Sequence, residues 1–396
     1  MLRQASKSSQ KRQNAVKKPQ RTTRTKLVQK QARKFSTKPI QQQQATLFGC
    51  YGQTGPYVAQ YLGPTGMRMI AAYRDDGMTV RPLKVSGEVG QVVPRQFAWQ
   101  NPDSIRATLQ GTDLVINMIG SSTPTIHFNE YDANLRTALT LAKTAKEMGV
   151  SRFIHVSAAG ASPTAGSNFL RAKYESEEAV KTYFPNATIV RPCFIYDSNN
   201  PYLHTLAIGA NVDEPQIAFA DTVIQPTYAR DVGAAIAQLA LHPEIDGQTW
   251  TLGGQEQLTR WEIFERFSNM IAHKDSNLGA YCQKPQRLNG PDSFELFRKE
   301  QLLFKQLMNR WTPIGACDYF AEDVTLDTCE KTKGFAELGI KPSDTNLTFV
   351  RLGKAYLSNL SKANETKLFT WTTGCLDEKA PGSKAIDFSS GAIGTH

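Results

Sequence analysis

A glycine-rich turn between a short apolar run and a proline is the feature that most constrains the fold of this chain. Residues 45–48 (ATLF) are apolar, residues 49–55 (GCYGQTG) follow the pattern G-x-x-G-x-x-G, and Pro56 suits the first turn of a helix. A strand, a glycine turn and a helix in this order let the backbone approach a pyrophosphate, which free N–H groups and the helix dipole attract. The turn therefore predicts a dinucleotide site, and its candidate contacts are Gly49, Tyr51, Gly52, Gln53, Thr54 and Gly55.

Apolar runs and helical patterns alternate along the chain beyond this turn. A helix is predicted over residues 129–148, and Gly149 marks its end. Strands that alternate with helices predict an α/β fold with a doubly wound parallel Rossmann sheet, followed by a smaller, mostly helical C-terminal region. Four further strands are predicted at residues 67–73, in a run that ends with residues 97–99 (FAW), at residues 113–119 before Gly120, and at residues 153–156.

The end of the second strand bears on which dinucleotide binds. An acidic residue at this point would bind the ribose hydroxyls of NAD, whereas a basic residue suits the 2′-phosphate of NADP. Arg74 stands at the strand end, ahead of Asp75 and Asp76, and so favours NADP. A surface arginine paired with either aspartate is the alternative. Tyr51 and Gln53 are bulky for a pyrophosphate turn and are expected to weaken binding.

The residues that would carry proton transfer form an incomplete set. A short-chain dehydrogenase uses a tyrosine phenol, a lysine four residues later on the same helix face, and a serine hydroxyl. Ser157 closes the fifth strand and Lys173 lies on the next helix, but the residue four before Lys173 is Phe169. Without the phenol oxygen the usual proton relay cannot run, so no catalytic residue is assigned. Ser157 and Lys173 remain candidates for cofactor contact, and Pro192 lies in a loop expected to pass the nicotinamide.

The positive charge of the chain is concentrated at its N-terminus. Residues 1–44 contain 13 of the 46 lysines and arginines and no acidic residue, although the whole chain carries a formal charge of +10. This composition is typical of a mitochondrial presequence, and residues 33–36 (RKFS) resemble a matrix processing site. A basic arm for nucleic acid and a solvated tail are the alternatives.

Other compositional features exclude several classes of protein. The six cysteines include no C-x-x-C pair and the histidines no paired spacing, so neither a disulfide scaffold nor a metal site is expected. No apolar run of 18 residues is present, so no membrane-spanning helix is predicted. Residues 261–271 have helical spacing. Residues 294–311 are amphipathic and suit a partner protein, a membrane surface or their own domain.

Several stretches together resemble one family, the alpha-subcomplex subunit 9 family of mitochondrial NADH:ubiquinone oxidoreductase (complex I). This family is an atypical branch of the extended short-chain dehydrogenases. The short interval between Ser157 and Phe169 and a late match at residues 335–340 (FAELGI) distinguish it from related enzymes. The other matching stretches are residues 45–58 (ATLFGCYGQTGPYV), 114–120 (LVINMIG), 149–157 (GVSRFIHVS), 169–175 (FLRAKYE) and 225–232 (QPTYARDV).

The resemblance implies a non-catalytic subunit that holds NADPH without turning it over. It places the chain peripherally on the matrix side of the inner membrane, at the junction of the peripheral and membrane arms, with other complex I subunits as partners. Contact with inner-membrane lipid is a further expectation, and no nucleic acid is expected. The implied nucleotide contacts are Gly49, Gly52, Gly55 and Arg74 for the phosphates, and Gly120, Ser157, Lys173 and Pro192 for the ribose and nicotinamide half.

The resulting organisation has four parts, and two other functions stay open. Residues 1–44 are a presequence and glutamine-rich linker, 45–255 the Rossmann domain, 256–364 a helical docking region and 365–396 an irregular tail. The main alternative is an active mitochondrial NADP-dependent reductase or epimerase, in a role such as quinone biosynthesis, which Ser157 and Lys173 favour and Phe169 opposes. The other is a nucleic-acid-binding protein, which rests on the basic tail alone.

Overall fold

The fold is built around one parallel sheet with helices on both faces. The computed structural model describes residues 39–74, 76–122, 128–198, 200, 202–203, 216–272, 286–288, 323–326, 332–350 and 352. The strands are β1 Gln44–Phe48, β2 Arg68–Tyr73, β3 Val92–Gln96, β4 Leu114–Asn117, β5 Arg152–Val156, β6 Thr188–Pro192, β7 Ile195–Tyr196, β8 Gln216–Ala218, β9 Val223–Ile224, β10 Thr227–Tyr228, β11 Thr249–Leu252, β12 Leu258–Thr259 and β13 Gln286–Leu288. The α-helices are α1 Gly55–Leu62, α2 Pro102–Thr108, α3 Thr137–Glu147, α4 Asn168–Tyr183, α5 Ala229–Leu241 and α6 Arg260–Ala272.

The sheet has the strand order β11-β6-β5-β4-β1-β2-β3, and all of its pairings are parallel. The order reverses between β1 and β4, which are neighbours in space although two strands separate them in sequence. In open parallel sheets, ligands bind outside the carboxyl ends of the strands at such a switch point. The topology thus places the candidate site at the ends of β1 and β4.

Alternate residues of the central strand fill two separate layers of core. Leu47 of β1 packs with α1 and α5 on one face, while Phe48 packs with α2, α3 and α4 on the other. Both side chains are fully buried, as expected for a strand covered on two faces. Helices α1 and α5 pack closely against each other, because a side chain at Gly233 would overlap Tyr57.

The chain downstream of residue 323 returns to this core. The Val324 amide donates to the Val223 carbonyl at 3.1 Å, and the Thr251 amide donates to the Lys333 carbonyl at 2.9 Å. Phe335 is 5% exposed and packs in the core layer that contains α1 and α5. The stretch 335–340, downstream of the predicted Rossmann domain, is therefore packed against that domain.

Most predicted elements are present, and the main boundary error concerns the third strand. β3 ends at Gln96, so the prediction that residues 97–99 close this strand is wrong. Phe97 instead turns into the core and packs edge-on against Phe48, with ring centroids 5.0 Å apart. The remaining predicted strands and the helix at 261–271 are confirmed within two residues at each end. The helix predicted over 129–148 consists of a π-helical stretch, Asp132–Arg136, that continues into α3.

Several predictions fall outside the described residues. They are the presequence with its RKFS site, the amphipathic stretch 294–311 and the tail 365–396. In the described part of the chain, no helix combines the length and the hydropathy needed to cross a membrane.

Candidate nucleotide-binding site

The glycine turn follows β1 directly and owes its shape to two of its glycines. Gly49 has a φ of +77°, and a Cβ on it would lie 2.8 Å from the Met118 carbonyl carbon at the end of β4. A Cβ on Gly55 would overlap the Cys50 backbone, so the start of α1 sits directly on the turn. Only glycine fits both positions, and the turn lies at the switch point.

The other residues of the turn differ in exposure. The Gly52 amide donates to the Gly49 carbonyl at 3.1 Å, and a Cβ on Gly52 would lie 3.3 Å from the same oxygen. Thr54 is buried, Gln53 is half-buried, and Tyr51 is 39% exposed. The bulky Tyr51 is thus directed at least partly toward solvent.

Arg74 follows β2, the strand beside β1, and is exposed. Its carbonyl accepts a hydrogen bond from Gln96 Nε2 at 3.4 Å, which ties the end of β2 to the end of β3. Arg74 thus follows the carboxyl end of β2, at the same sheet edge as the glycine turn, where a basic residue suits a 2′-phosphate.

Lys173 lies on α4 and points under the ends of β4 and β5. Its Nζ donates to the Val156 carbonyl at 3.1 Å and to the Ile119 carbonyl at 3.4 Å. Burial lowers the pKa of Lys173 to about 8, and the nearby Glu177 carboxylate opposes that shift. A Cβ on Gly120 would come within 2.5 Å of Nζ, so glycine keeps the approach to the ammonium open.

Ser157 follows β5 directly after Val156, whose carbonyl accepts from Lys173 Nζ. It is 4% exposed, and its buried Oγ has no hydrogen-bond partner among the described residues. A buried hydroxyl without a partner carries a desolvation cost, so a ligand group that bonds it is favoured. The prediction that Pro192 lies in a loop is wrong, because it is the last residue of β6 and pairs with Leu252 of β11; its carbonyl accepts from the Ala159 amide at 2.9 Å.

Phe169 is the residue found where the sequence pattern of an active dehydrogenase predicts a tyrosine. It lies one helical turn before Lys173 on α4, and the Lys173 ammonium is 5.8 Å from the centre of its ring. The two side chains thus share one helix face, as their spacing predicts. The ring offers the ammonium a π-face but has no hydroxyl that accepts or donates a proton.

Two features of this region were not predicted from the sequence. Asn134 lies in a π-helical stretch, Asp132–Arg136, and its amide bonds the Ser121 backbone and the Glu130 carbonyl. Trp99, in the segment after β3, and Phe128, in the segment between β4 and α3, pack edge-on with ring centroids 5.9 Å apart. The break in helical hydrogen bonding gives no sequence signal, and the aromatic pair joins residues from two separate loops.

The residues at this edge fit a dinucleotide. A Cβ on Gly49 or Gly55 would overlap backbone, so these glycines keep the turn tight, and among the described residues Ser157 Oγ is a buried polar atom with no hydrogen-bond partner. The described residues give Lys173 Nζ two carbonyl acceptors for its three protons. Anionic phosphates, a ribose hydroxyl and a polar ring would match these groups.

Comparison with known proteins agrees with this geometry. A family profile described as NAD(P)H-binding matches residues 49–240. The 40 kDa subunit of the mitochondrial NADH-ubiquinone oxidoreductase of Neurospora crassa is 31% identical over 319 residues, which are 80% of each chain. The chain belongs to the NADH dehydrogenase [ubiquinone] 1 alpha subcomplex subunit 9 family. The family member of Arabidopsis thaliana is 38% identical over 231 residues, 57% of this chain and 58% of its own.

Solved structures support the fold that this family predicts. Triphenylmethane reductase of Citrobacter sp. superposes with a TM-score of 0.59 at 18% identity, covering 79% of this chain and 99% of its own. A nucleoside-diphosphate-sugar epimerase of Staphylococcus aureus gives 0.57 at 16% identity, covering 78% and 99%. The Rossmann expectation and the resemblance to the subunit 9 family are both confirmed.

Proposed function

We propose that this chain is a non-catalytic, NADPH-binding accessory subunit of mitochondrial complex I. Membership of the subunit 9 family supports assembly into that complex, because the relatives are named as its subunits. The observation that carries the non-catalytic part is the phenyl ring of Phe169 against the Lys173 ammonium. The nucleotide then serves to hold the domain in shape rather than to react.

The missing phenol has a direct chemical consequence. Reduction of a carbonyl by hydride needs a proton for the new alkoxide, and a tyrosine beside lysine supplies it. Phe169 has no exchangeable proton, and the Lys173 ammonium is engaged by two backbone carbonyls. The site keeps the groups that bind the nucleotide and lacks the group that completes transfer.

Each part of NADPH has a candidate partner in this chain. The turn with Gly49, Gly52 and Gly55 would hold the pyrophosphate, and Arg74 the 2′-phosphate. Tyr51, Gln53 and Thr54 would line the same turn, while Gly120 and Pro192 would border the nicotinamide half. Ser157 and Lys173 would bond its ribose. When bound to an active enzyme of this fold, the nucleotide supplies a hydride.

The place of the subunit follows from the same reasoning. We propose residues 45–255 as the nucleotide-binding domain, 256–364 as a docking region for other complex I subunits, and 365–396 as a tail. Residues 1–44 would direct the chain to mitochondria, where it would sit peripherally on the matrix side of the inner membrane and stabilise the junction of the two arms. Lipid contact by residues 294–311 belongs to this proposal as well.

The first experiment is a native gel of gently solubilised mitochondria, probed for this chain beside an in-gel NADH dehydrogenase stain. Co-migration with the large NADH-oxidising band is expected, followed by recovery of NADPH from the purified complex in about one copy per chain. Migration only as a small free species would refute the subunit assignment. Recovery of NAD alone would refute the role given to Arg74.

An active reductase is the second candidate, and one observation favours it. Ser157 Oγ is unbonded and the pKa of Lys173 is lowered to about 8, a combination that suits proton transfer at neutral pH. Hydride transfer should then be measurable with the native chain and a set of small carbonyl and quinone substrates. Turnover by the native chain would favour this candidate. The absence of turnover in both the native chain and Phe169→Tyr would exclude the reductase.

A further inference from the structure

A closed circuit of hydrogen bonds connects the backbone carbonyl of Lys173 with its ammonium group, and every side chain in this circuit is buried. Asn117, His155 and Ser176 are each at most 1% exposed, and they come from β4, β5 and α4. The Asn117 Nδ2–His155 Nδ1 distance is 3.2 Å, and the His155 Nε2–Ser176 Oγ distance is 2.9 Å. Ser176 Oγ then donates to the Lys173 carbonyl at 2.7 Å.

The direction of each hydrogen bond in this circuit follows from one backbone contact. The Ile119 amide donates to Asn117 Oδ1 at 3.1 Å, so the Asn117 amide nitrogen faces His155. His155 Nδ1 must then accept, which leaves the ring proton on Nε2 for donation to Ser176. The Ile119 carbonyl also accepts from Lys173 Nζ, and this bond closes the circuit.

The circuit holds the histidine ring in one state. Burial lowers the pKa of His155 well below its usual value, and the neighbouring Lys173 charge lowers it further. A neutral ring with its proton on Nε2 satisfies every hydrogen bond around it. A fully satisfied buried network is rigid, because each alternative arrangement leaves a polar group unpaired.

We propose that Asn117, His155 and Ser176 are positioning residues that fix the Lys173 ammonium for the nucleotide. Ser176 bonds the Lys173 carbonyl, Asn117 bonds the amide of Ile119, and His155 joins the two. Since the carbonyl of that same Ile119 accepts from the Lys173 ammonium, the three side chains act on a ligand only through Lys173. The inference rests on the proposed nucleotide-binding function and deepens it. On this proposal, the affinity of the chain for the nucleotide depends on three core side chains that do not contact it.

The test compares two variants of the full chain that each lose one buried hydroxyl. Ser176→Ala removes the acceptor of His155, while Thr144→Val removes a hydroxyl on α3 that donates to the Thr140 carbonyl at 2.8 Å. Both hydroxyls bond a carbonyl of their own helix, so that loss is matched, and only Ser176→Ala also leaves the His155 Nε2 proton without its acceptor. NADPH affinity is measured by fluorescence titration, and thermal unfolding is recorded for each variant.

We expect Ser176→Ala to weaken NADPH binding about tenfold relative to Thr144→Val, the scale of one lost hydrogen bond to a charged group. Equal affinities in the two variants would overturn the positioning role. If the native chain itself binds no NADPH, the proposed function fails first. If the native chain binds and both variants bind as tightly, only the positioning role fails.

A spectroscopic measurement on the native chain covers the case in which Ser176→Ala does not fold. The six histidines are labelled with ¹⁵N, and His155 is assigned by its loss in His155→Gln. We expect a neutral ring protonated at Nε2, whose nitrogen shifts move when NADPH is added. A ring protonated at Nδ1, or shifts that stay fixed at saturation, would overturn the inference.

Discussion

Replacing Gly49 by alanine tests the tight junction between the glycine turn and β4. Gly49 has a φ of +77°, a region that residues with a side chain adopt at a cost. The new Cβ would also lie 2.8 Å and 2.9 Å from the carbonyl carbon and oxygen of Met118, and 3.0 Å from the Ile119 amide nitrogen. All three atoms are backbone, so they cannot rotate away as a side chain would.

The two costs can be separated by a second glycine. A left-handed alanine costs roughly 1–2 kcal/mol, and forcing a methyl group into packed backbone costs roughly 1–3 kcal/mol more. Gly149, two residues after α3, has a φ of +75°, and no described residue other than its chain neighbours lies within 4 Å of its hypothetical Cβ. Gly149→Ala thus carries only the first cost. The gain from a stiffer unfolded chain is common to both substitutions and cancels.

We expect Gly49→Ala to lose about 2–5 kcal/mol of unfolding free energy and Gly149→Ala about 1–2 kcal/mol. Urea unfolding of the two variants and the native chain measures both losses, with equal slopes as the check for two-state behaviour. NADPH should restore stability to Gly149→Ala and not to Gly49→Ala, because only the latter distorts the turn. Equal losses in the two variants would refute the claimed contact with β4.

Three other substitutions test the charges at the site. Arg74→Ser should weaken NADPH binding about tenfold or more and leave NADH binding unchanged in titrations at fixed salt; an equal loss for both would remove Arg74 from the 2′-phosphate. Folding lowers the pKa of Lys173 from 10.5 to about 8, so the unfolded chain binds this proton more tightly than the folded chain. Lys173 therefore lowers the unfolding free energy below pH 8, and this loss fades as the pH rises from 8 to 10.5. Lys173→Met should therefore stabilise the ligand-free chain at pH 7 by up to about 3 kcal/mol, with no gain near pH 10.5; a pH-independent effect would contradict this. Glu177→Gln breaks a buried bidentate pair with Arg191, at 2.8 and 2.9 Å, and should cost about 3–5 kcal/mol in urea unfolding, whereas Glu178→Gln at the surface should cost under about 1 kcal/mol.

The sequence alone predicted those features that depend on local geometry. The turn from Gly49 to Gly55 is specified by its own glycines and by the proline after it. Its place between β1 and α1 was therefore predictable from the sequence. The shared face of Phe169 and Lys173 follows from the helical repeat. The end of β3 was misplaced because Phe97 suits a strand as well as the core contact that it makes with Phe48.

Contacts between distant segments were decided only by the tertiary structure. No sequence pattern marks Asn117, His155 and Ser176. They form a circuit because β4, β5 and α4 bring them within hydrogen-bond distance. Phe335 enters a core whose other buried members lie upstream of residue 253 in the described part of the chain, which no local pattern indicates. The sequence by itself thus determined the fold and the ligand class, since both follow from short-range patterns. How firmly the Lys173 ammonium is held depends on hydrogen bonds between residues up to 54 positions apart, and these exist only in the folded chain.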